Sequence, residues 1–175
     1  MPIFSRTKMV IEDDCIRQKI ILMDYHGPNP QNIYKQIRLL LKSIYKVSDK
    51  EIEEKVFDWD RSSSEEKFKV HFIMSKDVDV HSYYHVEVNI TGKASPSKEF
   101  GKEGSAHITI EGMLRVEYPQ DFFWQKGIFH EMFRVLFHNV IYKGERYKML
   151  DDCKELAMKF YTELKSYLNI LPKGG

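Results

Sequence analysis

Tyr84-His85-Val86-Glu87-Val88-Asn89-Ile90-Thr91 places an apolar side chain at every even position and a polar one at every odd position. A period of two is the signature of a strand with one face on a core and the other in water. Two further segments repeat it. Phe68-Lys69-Val70-His71-Phe72-Ile73-Met74 is apolar at its even positions, and Ile108, Ile110, Gly112, Leu114 and Val116 alternate with Thr109, Glu111, Met113 and Arg115. Parallel strands, covered on both faces, read instead as continuous apolar runs. The pattern therefore predicts an α+β fold, in which a curved antiparallel sheet of about five or six strands carries its helices on one face. Val56-Phe57-Asp58-Trp59-Asp60 supplies another strand, and Gly112 in mid-strand predicts a bulge or bend.

Toward the N-terminus, Lys8–Ile11 and Lys19–Met23 flank the acidic stretch Glu12-Asp13-Asp14 and read as a hairpin. Asn29 as N-cap and Pro30 as first helical residue open a helix whose stripe is Ile33, Ile37, Leu40, Leu41 and Ile44. Ser48 to Glu51 has the pattern of a capping box and predicts a second, short helix. Arg61-Ser62-Ser63-Ser64 reads as a break. So does the longer stretch from Thr91 to Gly104, rich in Gly and Lys, which reads as a mobile loop.

Beyond the strands the chain turns helical. Phe122, Phe123, Trp124, Phe129, Phe133 and Phe137 belong to an aromatic helix from about Gln120 to Tyr142. Lys143-Gly144-Glu145 reads as a helix–helix turn. A long last helix follows, with Met149, Cys153, Ala157, Phe160, Leu164 and Leu168 at steps of three and four. Residues 1–171 are expected to form a single globular domain, and 172–175 a flexible tail.

The chain has 175 residues, 42% hydrophobic and 30% charged, with a net charge of +1. Near neutrality argues against a general electrostatic grip on nucleic acid. No apolar run reaches the ~18 residues of a membrane span, and the first residues lack a secretory pattern. The two cysteines, Cys15 and Cys153, do not read as a disulfide framework, so a cytoplasmic location is expected.

Motifs for chemistry are sparse. His130-Glu131 begins like H-E-x-x-H, but Arg134 stands where the second imidazole is needed, and a guanidinium repels a metal ion. His71, His85 and His107 fall on polar strand faces and converge only if their strands are neighbours. No glycine-rich phosphate loop and no G-x-S-x-G elbow is present. No metal and no cofactor are expected. With eleven Phe, ten Tyr and eight Met, the interior resembles the re-packable lining of an apolar pocket.

The order of strands and helices from about Gln18 to Leu168 resembles the helix-grip fold of the START and polyketide-cyclase-like superfamily. The resemblance implies a curved sheet wrapped around a long last helix, with an apolar cavity between. The leading expectation is a non-catalytic binding protein for a small apolar or amphipathic ligand. Its contacts would be Phe72, Tyr84, Val86, Val88, Ile110 and Leu114 on the sheet and Phe133, Cys153 and Phe160 on helices. One alternative is a module for a protein or ribonucleoprotein partner. It would use the basic helix face Lys35, Arg38, Lys42 and Lys46, or the lysines Lys93, Lys98 and Lys102. Another is an enzyme of cyclase or hydratase type with His130 and Tyr84 as acid and base. The pattern fixes no oligomeric state.

Overall fold

Alternation at even positions becomes burial. Phe68, Val70, Phe72 and Met74 are 0–3% exposed, Val86, Val88 and Ile90 0–1%, and Ile108, Ile110, Leu114 and Val116 0–2%. The computed structural model describes residues 9–62, 64–98, 101–118 and 142–170, with 132, 135, 136 and 140. Phe133, most of the expected aromatic helix, His130 and the tail 172–175 lie outside the described residues.

The described strands are β1 (Met9–Asp14), β2 (Ile20–Pro28), β3 (Ile52–Asp60), β4 (Glu66–Asp77), β5 (Ser82–Ser97) and β6 (Gly101–Tyr118). The helices whose span is described are α1 (Asn32–Tyr45) and α2 (Lys143–Ile170). The sheet is antiparallel, in the order β1–β6–β5–β4–β3, with β2 also paired to β6. Both helices cover its even face. Tyr34 of α1 stacks on Phe72 at 5.4 Å, Tyr84 donates to the Met149 carbonyl of α2 at 3.3 Å, and Tyr45 of α1 meets Phe160 of α2 at 6.4 Å. At 28 residues α2 extends about 42 Å, enough to cross the sheet.

The expected N-terminal hairpin is corrected. β1 and β2 do not pair with each other. They lie end to end along one edge of β6, with Asp14 opposite Met113 and Ile20 opposite Glu111. Gly112 sits at the break, and its carbonyl accepts the Cys15 N–H at 2.9 Å. The chain between β1 and β2 folds inward there, burying Cys15 and Ile16 over Gly112. Glycine at 112 thus leaves room for an excursion of the neighbouring edge.

The expected loop from Thr91 to Gly104 is also corrected. β5 and β6 run through it, pairing down to Ser97 opposite Gly101. Two of its glycines mark close packing rather than irregular chain. A Cβ on Gly92 would lie 2.3 Å from the Phe68 ring, and one on Gly104 1.9 Å from the Lys93 carbonyl oxygen.

Helix ends differ in detail. Asn29 takes a left-handed φ of 51° and accepts the Asn32 N–H, so α1 begins after a turn and not at Asn29. Ser48–Glu51 keeps its capping contact, the Ser48 N–H donating to Glu51 at 2.7 Å, but forms only a 3-10 turn before β3. Gly144 lies inside the first turn of α2, not in a linker.

Cys15 and Cys153 form a disulfide, against the expectation of two separate thiols. Cys153 is fully buried on α2, so its reading as a core residue stands, but as half of a cross-link. The cysteine argument for a reducing compartment loses its premise. Among the described residues, no helix is long and apolar enough to cross a membrane.

Candidate functional site

The sheet–helix junction gathers eight of the nine expected ligand residues. Phe72, Val88, Leu114, Cys153 and Phe160 are 0% exposed, Val86 1%, Ile110 2% and Tyr84 4%, all in one apolar cluster. They are in place because β4, β5 and β6 are successive neighbours and because α2 repeats its apolar positions every three or four residues. All eight side chains are core. Tyr84 also borders an open cleft of about 530 Å³ at the edge of the sheet–helix junction. Lys76 and Asp77 at the end of β4 and Val78 just after it form one wall, and Asp152, Glu155, Leu156 and Lys159 of α2 the other. Burial pushes the Tyr84 phenol pKa above its ordinary value, and the nearby Asp152 carboxylate adds to the shift.

The basic side chains on α1 are partly spoken for. Arg38 reaches Glu54 at 2.6 Å and Asp49 at 3.0 Å, and Lys42 reaches Asp49 at 2.7 Å. The Lys42 and Arg38 donors hold the Asp49 carboxyl below the usual range. Tyr34 donates to the same Glu54 at 2.9 Å. These contacts fasten α1 to the 3-10 turn and to β3. Lys35 and Lys46 stay exposed. Among the other lysines, Lys93 pairs with Glu65 at 3.3 Å and Lys102 with Glu66 at 2.6 Å, while Lys98 is exposed at the β5–β6 turn.

The odd face of the sheet is not uniformly wet. Strand register aligns its side chains in rows across the sheet. One row runs Asp58, Lys69, Thr91, His107, Asp24, and the next outward Asp60, Lys67, Lys93, Ser105, His26. These two rows line an open trough of about 570 Å³. At the other end Tyr83 donates to Glu117 at 2.7 Å and Arg115 pairs with Glu12 at 2.8 Å.

Between them lies the tightest polar group. His85 is 6% exposed, although it belongs to the face expected to be solvated. Its Nε2 lies 2.9 Å from Glu87 Oε1, and its Nδ1 lies 3.2 Å from Ser75 Oγ. His71 Nε2 reaches the other Glu87 oxygen at 3.2 Å. Burial acts to raise the Glu87 pKa, but the His85 and His71 contacts outweigh it and the net shift is downward.

The histidine expectation is thus split by topology. His71 and His85 share the Glu87 carboxylate because β4 and β5 are neighbours, while His107 turns away to Asp24 at 2.6 Å. Among the described residues, no group of three or more His, Cys, Asp or Glu is arranged to hold a metal ion. Sequence reading missed Ser75 and Glu87 as partners of His85. Glu87 was legible as a partner, two residues along the same strand on the same face, but only the β4–β5 register, with Ser75 opposite His85, brings in Ser75.

No known family model matches the chain, and no curated protein matches it. Among solved structures, it is similar to the protein of unknown function SA2116 from Staphylococcus aureus, at 10% identity and a TM-score of 0.29. That alignment covers 93% of this chain and 98% of the other, a likeness too distant to fix a shared fold or function.

Proposed function

We propose that the protein is a binding protein of the helix-grip kind, resembling the START and polyketide-cyclase-like superfamily, and that it takes a small amphipathic molecule between the sheet and the last helix. The supporting observation is the cleft of about 530 Å³ at that junction, bordered by Tyr84 and Leu156 and flanked by Lys76 and Lys159. Its size falls within the ~300–1,000 Å³ of small-molecule sites. Apolar surface near Val78, Tyr84 and Leu156 favours a hydrocarbon part. Lys76 and Lys159 share the rim with Asp77, Asp152 and Glu155, so a polar head meets charges of both signs there, and a carboxylate head is met by the two lysines.

A module for a protein or ribonucleoprotein partner has less support at α1, because Arg38 and Lys42 already serve Asp49 and Glu54. A cyclase or hydratase using Tyr84 has less support as well, because the phenol already donates to the Met149 carbonyl.

The test is titration of the purified chain with a dansyl-labelled fatty acid, alongside native mass spectrometry for a co-purified amphiphile. The expected result is saturable fluorescence enhancement. Leu156→Arg should abolish it, and the paired change Lys76→Glu, Lys159→Glu should weaken it at least tenfold with the fold intact by circular dichroism. Unchanged binding in both variants overturns the reading, as does an absence of binding in the parent.

A further inference from the structure

Ser75, His85 and Glu87 form a directed chain of hydrogen bonds on the face opposite the ligand cleft. An ionised carboxylate only accepts, so the His85 nitrogen 2.9 Å from Glu87 must carry the ring proton. In the neutral imidazole the other nitrogen, Nδ1, is then a lone pair, 3.2 Å from the Ser75 hydroxyl. The hydroxyl is the donor and the imidazole the base. His71 holds the second oxygen of Glu87 at 3.2 Å, which fixes the carboxylate's orientation.

Exposure runs in the useful direction. The His85 side chain is 8% exposed and that of Glu87 26%, while Ser75 is exposed. β3 begins its pairing with Ile52 opposite Met74, so Ser75 lies one residue past the first residue of β3, on the side of the 3-10 turn, and its exposure leaves the hydroxyl open to a substrate. Tyr83 stands edge-on to His85 at 6.4 Å and covers the base from the other side.

We propose that Ser75 is a nucleophile activated by His85 and Glu87, and that it transfers the acyl group of a small carboxylic ester to water. The Ser75 oxygen bonds to the ester carbonyl carbon while its proton passes to His85 Nδ1. The bond from that carbon to the alcohol oxygen then breaks, and the departing oxygen takes the proton from His85. A water molecule next attacks the acyl carbon and gives a proton to Nδ1. The acyl–serine bond breaks, the serine oxygen recovers the proton, and a carboxylic acid leaves. Nothing in this hydrogen-bond chain stabilises an oxyanion, so the substrate class is an ester with a good leaving group, such as an aryl ester. Glu87 and His71 are positioning residues.

The experiment uses the full chain, a fluorophosphonate probe and p-nitrophenyl acetate. The expected result is one probe per chain, mapped by peptide mass spectrometry to Ser75, and none in Ser75→Ala. Glu87→Gln should slow ester turnover by about 100-fold, in the range of lost base assistance. His71→Ala should shift the midpoint of the rate-against-pH profile, and His71→Gln, which keeps an N–H donor, should restore it. Dansyl fatty acid binding should be unchanged in all four variants, so this proposal and the ligand cleft fail separately. Labelling elsewhere, no labelling of the folded chain, or full turnover in Ser75→Ala overturns the assignment.

Discussion

Cys15 and Cys153 are bonded across 138 residues of chain, their Cα atoms 5.5 Å apart. One sulfur comes from the inward fold between β1 and β2, the other from the buried face of α2. Two residues before Cys15, Asp13 receives the Arg146 guanidinium at 2.6 Å. The sheet edge is therefore tied to the last helix twice, once covalently and once by charge.

Reduction should loosen this tie more than it disturbs local packing. Closing so long a loop restricts the unfolded chain, an effect of about 2–5 kcal/mol. Urea unfolding with and without reductant, read by circular dichroism, should show a lower midpoint when reduced. In Cys153→Ser, reductant should have no further effect. An equal midpoint in both redox states would show that the bond adds nothing to stability.

Glycine substitutions should separate two kinds of glycine. A Cβ at Gly92 meets the Phe68 ring at 2.3 Å and the Ser105 carbonyl oxygen at 2.7 Å, and the backbone oxygen cannot swing away. Gly92→Ala should cost about 1–3 kcal/mol as overpacking. At Gly112 the nearest atom is the Ile16 side chain at 3.6 Å, ordinary contact, so Gly112→Ala should be tolerated. Thermal melts of the two variants decide it. Equal melting temperatures would mean that the sheet flexes freely at Gly92.

Much of the architecture was legible because alternation and helical spacing are local. Val86 and Val88 announce their face without reference to any other strand, and Ile33, Ile37 and Leu41 announce theirs. What failed required knowing which segment lies beside which. Lys8–Ile11 and Lys19–Met23 look like two arms of a hairpin, yet both pair with β6, a choice made about 100 residues downstream. Gly92 and Gly104 look like loop residues because close backbone approach and turn formation demand the same missing Cβ. The same limit applies to the Ser75–His85–Glu87 group. His85 and Glu87 are two residues apart on one strand face, but the Ser75 hydrogen bond depends on the β4–β5 register.

Core truncation should be most damaging where the two helices and the sheet meet. Phe160 is fully buried and lies 6.4 Å from the Tyr45 ring across the α1–α2 contact. Phe160→Ala should cost about 3–5 kcal/mol, the usual range for emptying an aromatic site. Phe57 belongs to the same sheet face but is 53% exposed at the β3 edge, so Phe57→Ala should cost much less. Urea midpoints of the two variants test the ranking. A smaller loss at Phe160 would place the core elsewhere.

Acid should act on the odd face through Glu87. Its folded pKa lies below the ordinary glutamate range, because donors from His85 and His71 more than offset burial. A carboxyl with a depressed folded pKa stabilises fully above its unfolded pKa. That contribution is lost as pH falls through the folded value. Glu111 lies directly opposite on β6 and Ile73 on β4, so Glu87 also faces a like charge across the β5–β6 pair. Removing its charge in Glu87→Gln should therefore lower stability at pH 7 by less than the loss of two hydrogen bonds alone implies, and should flatten the decline below about pH 5. Urea midpoints from pH 7 to pH 3 for parent and variant give the comparison. Parallel curves over the whole range would show that Glu87 titrates alike in the folded and unfolded chain, and would remove the electrostatic basis for a fixed His85 tautomer.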